Sequence, residues 1–300
     1  MAIVSLISLV SPSAALADST ATPGSVIPWD SSQCADLTFI GARGSGQGVQ
    51  EGDIYGFGPD VSLAANSLRT RIMQSLPNIT TKYVPVLYPA TSSDQYTLSG
   101  INPYAALDGR HNSWVSYSDS VAQGTQLFIN RVAGTVSTCS NTKIVTVGYS
   151  QGAQVVSDGS RLLLNDQLSK VATTWLIAKP VLKHGATRDY QVSNYISENS
   201  GDNFVPDRIG LVNAASAIGI GIRQDEAPYP DSFHRNIVEM CHSLDKVCGF
   251  DSVPEAGYVK EYIDAVNSLN TVHGYAYKDV GWMQMASNYL FFPVFLALVS

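Results

Sequence analysis

Charge is scarce in this chain. Asp, Glu, Lys and Arg make up 14% of 300 residues, against about a quarter in an ordinary soluble domain. The 18 basic residues are outnumbered by 25 acidic ones, for a net charge of −7, and no run of Lys or Arg occurs. A nucleic-acid binder needs a basic face to neutralise phosphates, so that class is excluded. The polar surface must come instead from Ser, Thr, Asn, Gln and Gly, a composition common outside the cell. Cysteine is sparse too. The four are Cys34, Cys139, Cys241 and Cys248, with no Cys-x-x-Cys pair and no zinc-site spacing. No repeat period is visible. The C-terminal apolar run, Tyr289 to Ser300, is shorter than the roughly 20 residues a spanning helix needs, so a core or interfacial segment is expected.

What is present is a large apolar fraction, 45%, enough for a sizeable core in one domain at this length. Ala2 to Val10 are apolar or Ser, and Ala15-Leu16-Ala17 supplies a small-x-small cleavage site. A signal peptide over 1–17 is expected, with Asp18 as the first mature residue, although no Lys or Arg precedes the apolar stretch. The remaining chain divides into an extension over 18–33, a domain over 34–285 and an apolar tail over 286–300. An even cysteine count in a secreted protein points to two disulfides, with three connectivities open.

Strand-like and helix-like segments alternate. Leu37 to Ala42 reads as a buried strand with a Gly-rich turn after it. Val61, Ala65, Leu68, Ile72 and Leu76 recur at helical spacing up to Pro77. Tyr83 to Leu87 reads as a strand, and Val121, Thr125, Phe128, Val132 and Val136 as a helical stripe. Ile144 to Val147 is a β-branched strand, followed by a helix over Val155 to Leu164. Trp175 to Ala178, Tyr190 to Ser197 and Ile237 to Met240 read as further strands, and Tyr258, Tyr262, Val266 and Leu269 as a late helix. Such alternation implies βαβ crossovers: an α/β fold, a single-domain three-layer sandwich with a mostly parallel central sheet. Ala214 to Asp231, rich in Gly, Ala, Ile and Pro, reads as a surface excursion.

Gly148-Tyr149-Ser150-Gln151-Gly152 matches G-x-S-x-G, with a strand leading in and a helix leading out. That is the setting of the nucleophile elbow of α/β-hydrolases. The flanking glycines relieve a strained turn, and the helix N-terminus aims free amides at the serine. A serine hydroxyl needs a base, and the base an orienting carboxylate. In this fold the chain order is Ser, acid, His, which leaves His184, His234, His242 and His273 and disfavours His111. The amide of Gln151, the residue after the nucleophile, is the expected oxyanion donor, and a second should come from the loop after the first strand.

The surrounding sequence resembles the cutinase family, which also contains acetylxylan esterases. Cys34-Ala35-Asp36-Leu37-Thr38-Phe39-Ile40 leading into Ala42-Arg43-Gly44-Ser45 is similar to the family's first cysteine, first strand and ARGS turn. Tyr88-Pro89-Ala90 is similar to its YPA, and Cys139 stands eleven residues before Ser150. Cys241 to Cys248 resembles its C-x3-D-x2-C loop, and His273-Gly274-Tyr275 its late histidine at the head of the last helix. The resemblance covers about 34 to 280. It implies disulfides Cys34–Cys139 and Cys241–Cys248, Asp245 as the acid, His273 as the base and Ser45 as an oxyanion donor. Asp202, in Gly201-Asp202-Asn203-Phe204-Val205-Pro206, is the rival acid, because D-x-x-V-P resembles the acid turn of α/β-hydrolases at large. His273 follows Asp245 as the chain order requires, while His242 sits inside the short cysteine loop. Arg43 is expected to tie backbone carbonyls together rather than to act in chemistry. Lys179-Pro180 and the long 183–230 segment depart from the family pattern and bear on access to the site.

The expectation is therefore a secreted serine esterase acting on carboxylic esters: cutin-like polyester, lipid or short-chain acyl esters. It needs no cofactor and no metal, takes an ester substrate as its partner, binds no nucleic acid and is monomeric. The alternatives are an acetylxylan esterase or acyltransferase on the same site, or an idle surface-binding protein of the same fold.

Overall fold

The computed structural model describes residues 24–48, 56–91, 111–181, 229–230, 237–242, 245, 247–248 and 272–300. Among the described residues, six strands form one sheet in the order β1-β3-β2-β4-β5-β6. They are β1 Val26–Ile27, β2 Leu37–Ala42, β3 Thr81–Pro85, β4 Lys143–Tyr149, β5 Val171–Ile177 and β6 Ile237–Met240. Every pairing between them is parallel. A parallel sheet must be covered on both faces, and every residue of β2, β3 and β5 is buried.

The helices are α1 Pro59–Met73, α2 His111–Thr138, α3 Gln151–Ser160, α4 Asn165–Leu168 and α5 Val280–Val299. α1 and α5 cover one face, packing Val61, Leu68, Met283 and Leu290 against Phe39, Tyr83, Val147 and Trp175. α2 and α3 cover the other, packing Val121, Phe128, Val155 and Val156 against Ile40, Val84, Ile144 and Leu176. The alternating side chains of each strand thus feed two apolar layers, which is the three-layer sandwich of an α/β-hydrolase fold.

Local sequence explains most boundaries. α1 starts where Gly58, with φ of 73°, turns the chain and Pro59 takes the first helical position. α3 stops at Ser160, earlier than the apolar spacing through Leu164 suggested, and Leu162 and Leu164 are exposed in the turn that follows. The C-terminal apolar run is the second half of α5, a helix of 20 residues capped by the Asp279 side chain. α5 is long and apolar enough to cross a membrane. Its inner face, through Met283, Ala286, Leu290 and Val294, is buried in the core. The strand expected at Tyr190 to Ser197, the helix through Tyr258, the surface excursion and residues 1–17 lie outside the described residues.

β3 lies on one side of β2 and β4 on the other. The order in which strands are added therefore reverses at β2, and the carboxyl ends of β2 and β4 form the switch point at which open α/β sheets place ligands. Ala42 pairs with Gly148 and Tyr149 with Ile177. The residues immediately beyond, Arg43 to Ser45 and Ser150, share that edge.

Candidate active site

Ser150 sits between β4 and α3 with φ 53° and ψ −123°. A non-glycine residue there is strained, and strain of this kind persists only where its surroundings impose it. The Ser150 amide donates to the Ile177 carbonyl at 2.8 Å, and its own carbonyl accepts from Ala153 at 2.9 Å. The flanking glycines are sterically required. A Cβ on Gly152 would stand 2.0 Å from the Ala42 oxygen, and one on Gly148 would stand 2.4 Å from the Gly152 oxygen. The elbow is pressed directly onto the end of β2.

His273 reaches this serine from the far end of the chain. Its Nε2 lies 3.0 Å from Ser150 Oγ, and its Nδ1 lies 2.9 Å from Asp245 Oδ2. Asp245 is completely buried. Val247 N–H donates to its Oδ1 at 2.8 Å, and the Tyr277 hydroxyl donates to its Oδ2 at 2.8 Å. Burial alone pushes this carboxyl's pKa up. The charge and hydrogen bond of His273, the Val247 amide and the Tyr277 hydroxyl outweigh it and hold the group below the ordinary carboxylate range. The disulfide Cys241–Cys248 closes the loop that carries Asp245, and Cys34–Cys139 joins the approach to β2 with the end of α2. Both pairings are those the resemblance implied.

Two tyrosines not singled out from the sequence complete the support. Tyr277 accepts from the His242 amide at 2.8 Å while donating to Asp245. Burial, then the Asp245 charge, pushes its pKa well up, so it stays a donor. Its signal was its position four residues after His273, which is one helical turn. Tyr149 stacks on the His273 ring at 5.1 Å between centroids and donates to the His273 carbonyl at 2.6 Å. As the variable residue of G-x-S-x-G, it carried no signal.

Ser45 lies in the turn after β2, half-buried. Arg43 anchors that turn: its guanidinium donates to the carbonyls of Gln47 and Tyr88 at 2.9 and 2.5 Å, and the Tyr88 hydroxyl donates back to the Arg43 carbonyl at 2.6 Å. Gln151 is the first residue of α3, so its amide is among those a helix leaves unpaired. Its side-chain oxygen accepts from Ser120 at 3.1 Å. His242 packs its ring against Trp282 at 5.3 Å. Asp202, His184 and His234 lie outside the described residues. Among the described residues, no group of three His, Cys, Asp or Glu side chains converges on a metal site. Lys179, where the sequence departs from the family pattern, pairs with Glu239 at 2.6 Å beside the ends of β5 and β6.

A strained serine on an elbow, a histidine on its hydroxyl and a buried carboxylate behind the histidine form one chain of contacts. The cutinase family model matches residues 33–271. The chain belongs to the cutinase family. It is 26% identical over 147 residues to a cutinase of Botryotinia fuckeliana, covering 49% of this chain and 58% of that protein. It is 31% identical over 147 residues to the cutinase cut1 of Trichoderma harzianum, covering 49% and 47%. The chain thus spans about half the length of the curated relatives it matches. Among solved structures, a cutinase-like protein from Cryptococcus sp. aligns with TM-score 0.51 and 17% identity over 88% of this chain and 96% of that one, a likeness in fold.

Proposed function

We propose that the protein is an extracellular serine hydrolase of carboxylic esters that works through Ser150, His273 and Asp245. The observation carrying this reading is the pair of contacts on His273: 3.0 Å to Ser150 Oγ and 2.9 Å to Asp245 Oδ2. His273 takes the serine proton as Ser150 Oγ attacks the ester carbonyl, and Asp245 stabilises the imidazolium. The amides of Ser45 and Gln151 receive the developing oxyanion. The alcohol leaves with the proton from His273, and water then cleaves the acyl-enzyme by the same route. Two disulfides support the extracellular setting. An idle binding protein would have no use for a buried carboxylate held by three hydrogen bonds behind a histidine.

The test is Ser150→Ala. Hydrolysis of a p-nitrophenyl ester should fall by roughly 10⁴-fold or more. Wild-type protein should be labelled covalently by a fluorophosphonate and the variant should not. An active or labelled variant rejects the assignment.

A further inference from the structure

One buried acid near the site takes no part in that mechanism. Asp60, the second residue of α1, is 1% exposed. Its Oδ2 accepts from Gln47 Nε2 at 2.5 Å, while Oδ1 is buried without a hydrogen-bond partner among the described residues. A carboxyl held so incompletely is costly. Burial pushes its pKa up, against the Gln47 hydrogen bond and the charges of Lys278 and His273. The first turn of a helix repays part of that cost. The rest calls for a reason to keep Asp60 there.

Gln47 supplies one. Its Oε1 accepts from the Gly44 amide at 3.0 Å, so one carboxamide bridges Gly44 to Asp60. The Gln47 amide donates to the Gly44 carbonyl at 3.3 Å, and the Gly46 amide to the Ala90 carbonyl at 2.9 Å. Of the amides of Gly44, Ser45, Gly46 and Gln47, that of Ser45 is the one left without a hydrogen-bond partner among the described residues. Room has been left for this bridge. A Cβ on Gly58 would come within 2.6 Å of Gln47 Oε1. The turn also meets the base: a Cβ on Gly44 would stand 2.7 Å from the Tyr149 ring, which stacks on His273. Where Gly44 rests therefore sets the separation between Ser45 and the Ser150–His273 pair.

We propose that Asp60 and Gln47 form a clasp between the start of α1 and the turn after β2 that positions Ser45 for the oxyanion. They are positioning residues, and the proposal rests on the esterase reading above. Oxyanion contacts form in the transition state, so a displaced Ser45 lowers kcat and leaves KM nearly unchanged.

The experiment measures kcat and KM on a short-chain p-nitrophenyl ester, with the thermal midpoint of each variant. Gln47→Leu, which removes both hydrogen bonds at a half-buried site, should lower kcat about 10- to 100-fold with KM changed less than about threefold. Asp60→Leu should do the same, and the double variant should be no worse than either alone. Asp60→Asn keeps an oxygen for Gln47 Nε2 and should retain kcat within about threefold. Should Asp60→Leu fail to fold, Gln47→Leu and Asp60→Asn carry the test between them. An unchanged kcat in Gln47→Leu overturns the clasp, as does an Asp60→Asn variant as damaged as Gln47→Leu. Fluorophosphonate labelling of wild type is run alongside. A wild type neither labelled nor active rejects the esterase reading and the clasp with it; a labelled, active wild type with a harmless Gln47→Leu rejects the clasp alone.

Discussion

Asp245 is a carboxylate with no exposure and three hydrogen bonds, from His273, Val247 and Tyr277. Its pKa is lowered from 3.8 in the fold. The sign follows from linkage. A group whose folded pKa is depressed lends stability that is fully present above its unfolded value and is lost as pH falls through the folded one. Asp245→Asn should therefore be less stable than wild type at pH 7, and the gap in urea midpoint should narrow below about pH 3.8. The same variant should lose roughly 10⁴-fold in kcat, because an amide can fix the wrong imidazole tautomer. Asp202→Asn should stay near wild type in both measurements. The opposite ranking would move the acid to Asp202. Ser150 was legible in its elbow alone, whereas Asp245 and His273 were reached through the family resemblance, since chain order by itself left four histidines and the rival Asp202 open. Tyr149, Gln47 and Asp60 were legible in neither way. Their roles depend on side chains meeting across three separate turns, and no local spacing records that.

At the scale of elements, the strand–elbow–helix unit was legible because it obeys two periods in succession. β4 is a β-branched run, and α3 begins directly at the residue after Ser150. What the sequence hid is how closely the elbow meets β2. Gly152 faces backbone atoms of Ala42 and Arg43, with carbonyl oxygens at 2.0 and 2.5 Å from an added Cβ. Backbone cannot swing aside as a side-chain tip can. Gly152→Ala should therefore force α3 away from β2, costing about 1–3 kcal/mol of stability, and move the Gln151 amide relative to Ser45. The check is a lowered thermal midpoint together with a kcat loss on the p-nitrophenyl ester. An alanine variant with both unchanged would mean that the elbow has slack. α5 was half legible. Tyr289 onward is plainly apolar, but Gly281 to Asn288 mixes polar and apolar residues, and the helix carries Pro293 in its interior. The overlooked cue was Asp279, whose side chain accepts from the amides of Gly281 and Trp282 at 2.7 and 3.3 Å.

Across the whole molecule, the two disulfides sit at opposite ends of the sheet and do different work. Cys34–Cys139 lies at the amino ends of β2 and β4 with a sequence separation of 105. Cys241–Cys248 lies beyond the carboxyl end of β6 with a separation of 7. In the chain-entropy account, closing the longer loop stabilises by about 4.7 kcal/mol and the shorter by about 2.4 kcal/mol. The longer bridge touches no residue of the proposed mechanism, whereas the shorter frames Asp245 and the Val247 amide that holds it. Stability and chemistry should therefore separate. Replacing Cys34 and Cys139 together with Ser should give the larger drop in thermal midpoint, with kcat at 25 °C close to wild type. Replacing Cys241 and Cys248 with Ser should give the smaller drop in midpoint but the larger drop in kcat. Differential scanning calorimetry beside p-nitrophenyl ester kinetics reads both. Equal kinetic effects from the two replacements would show that the Asp245 loop keeps its shape without its bridge, and that the hydrogen bonds of Val247 and Tyr277 suffice to hold the carboxylate.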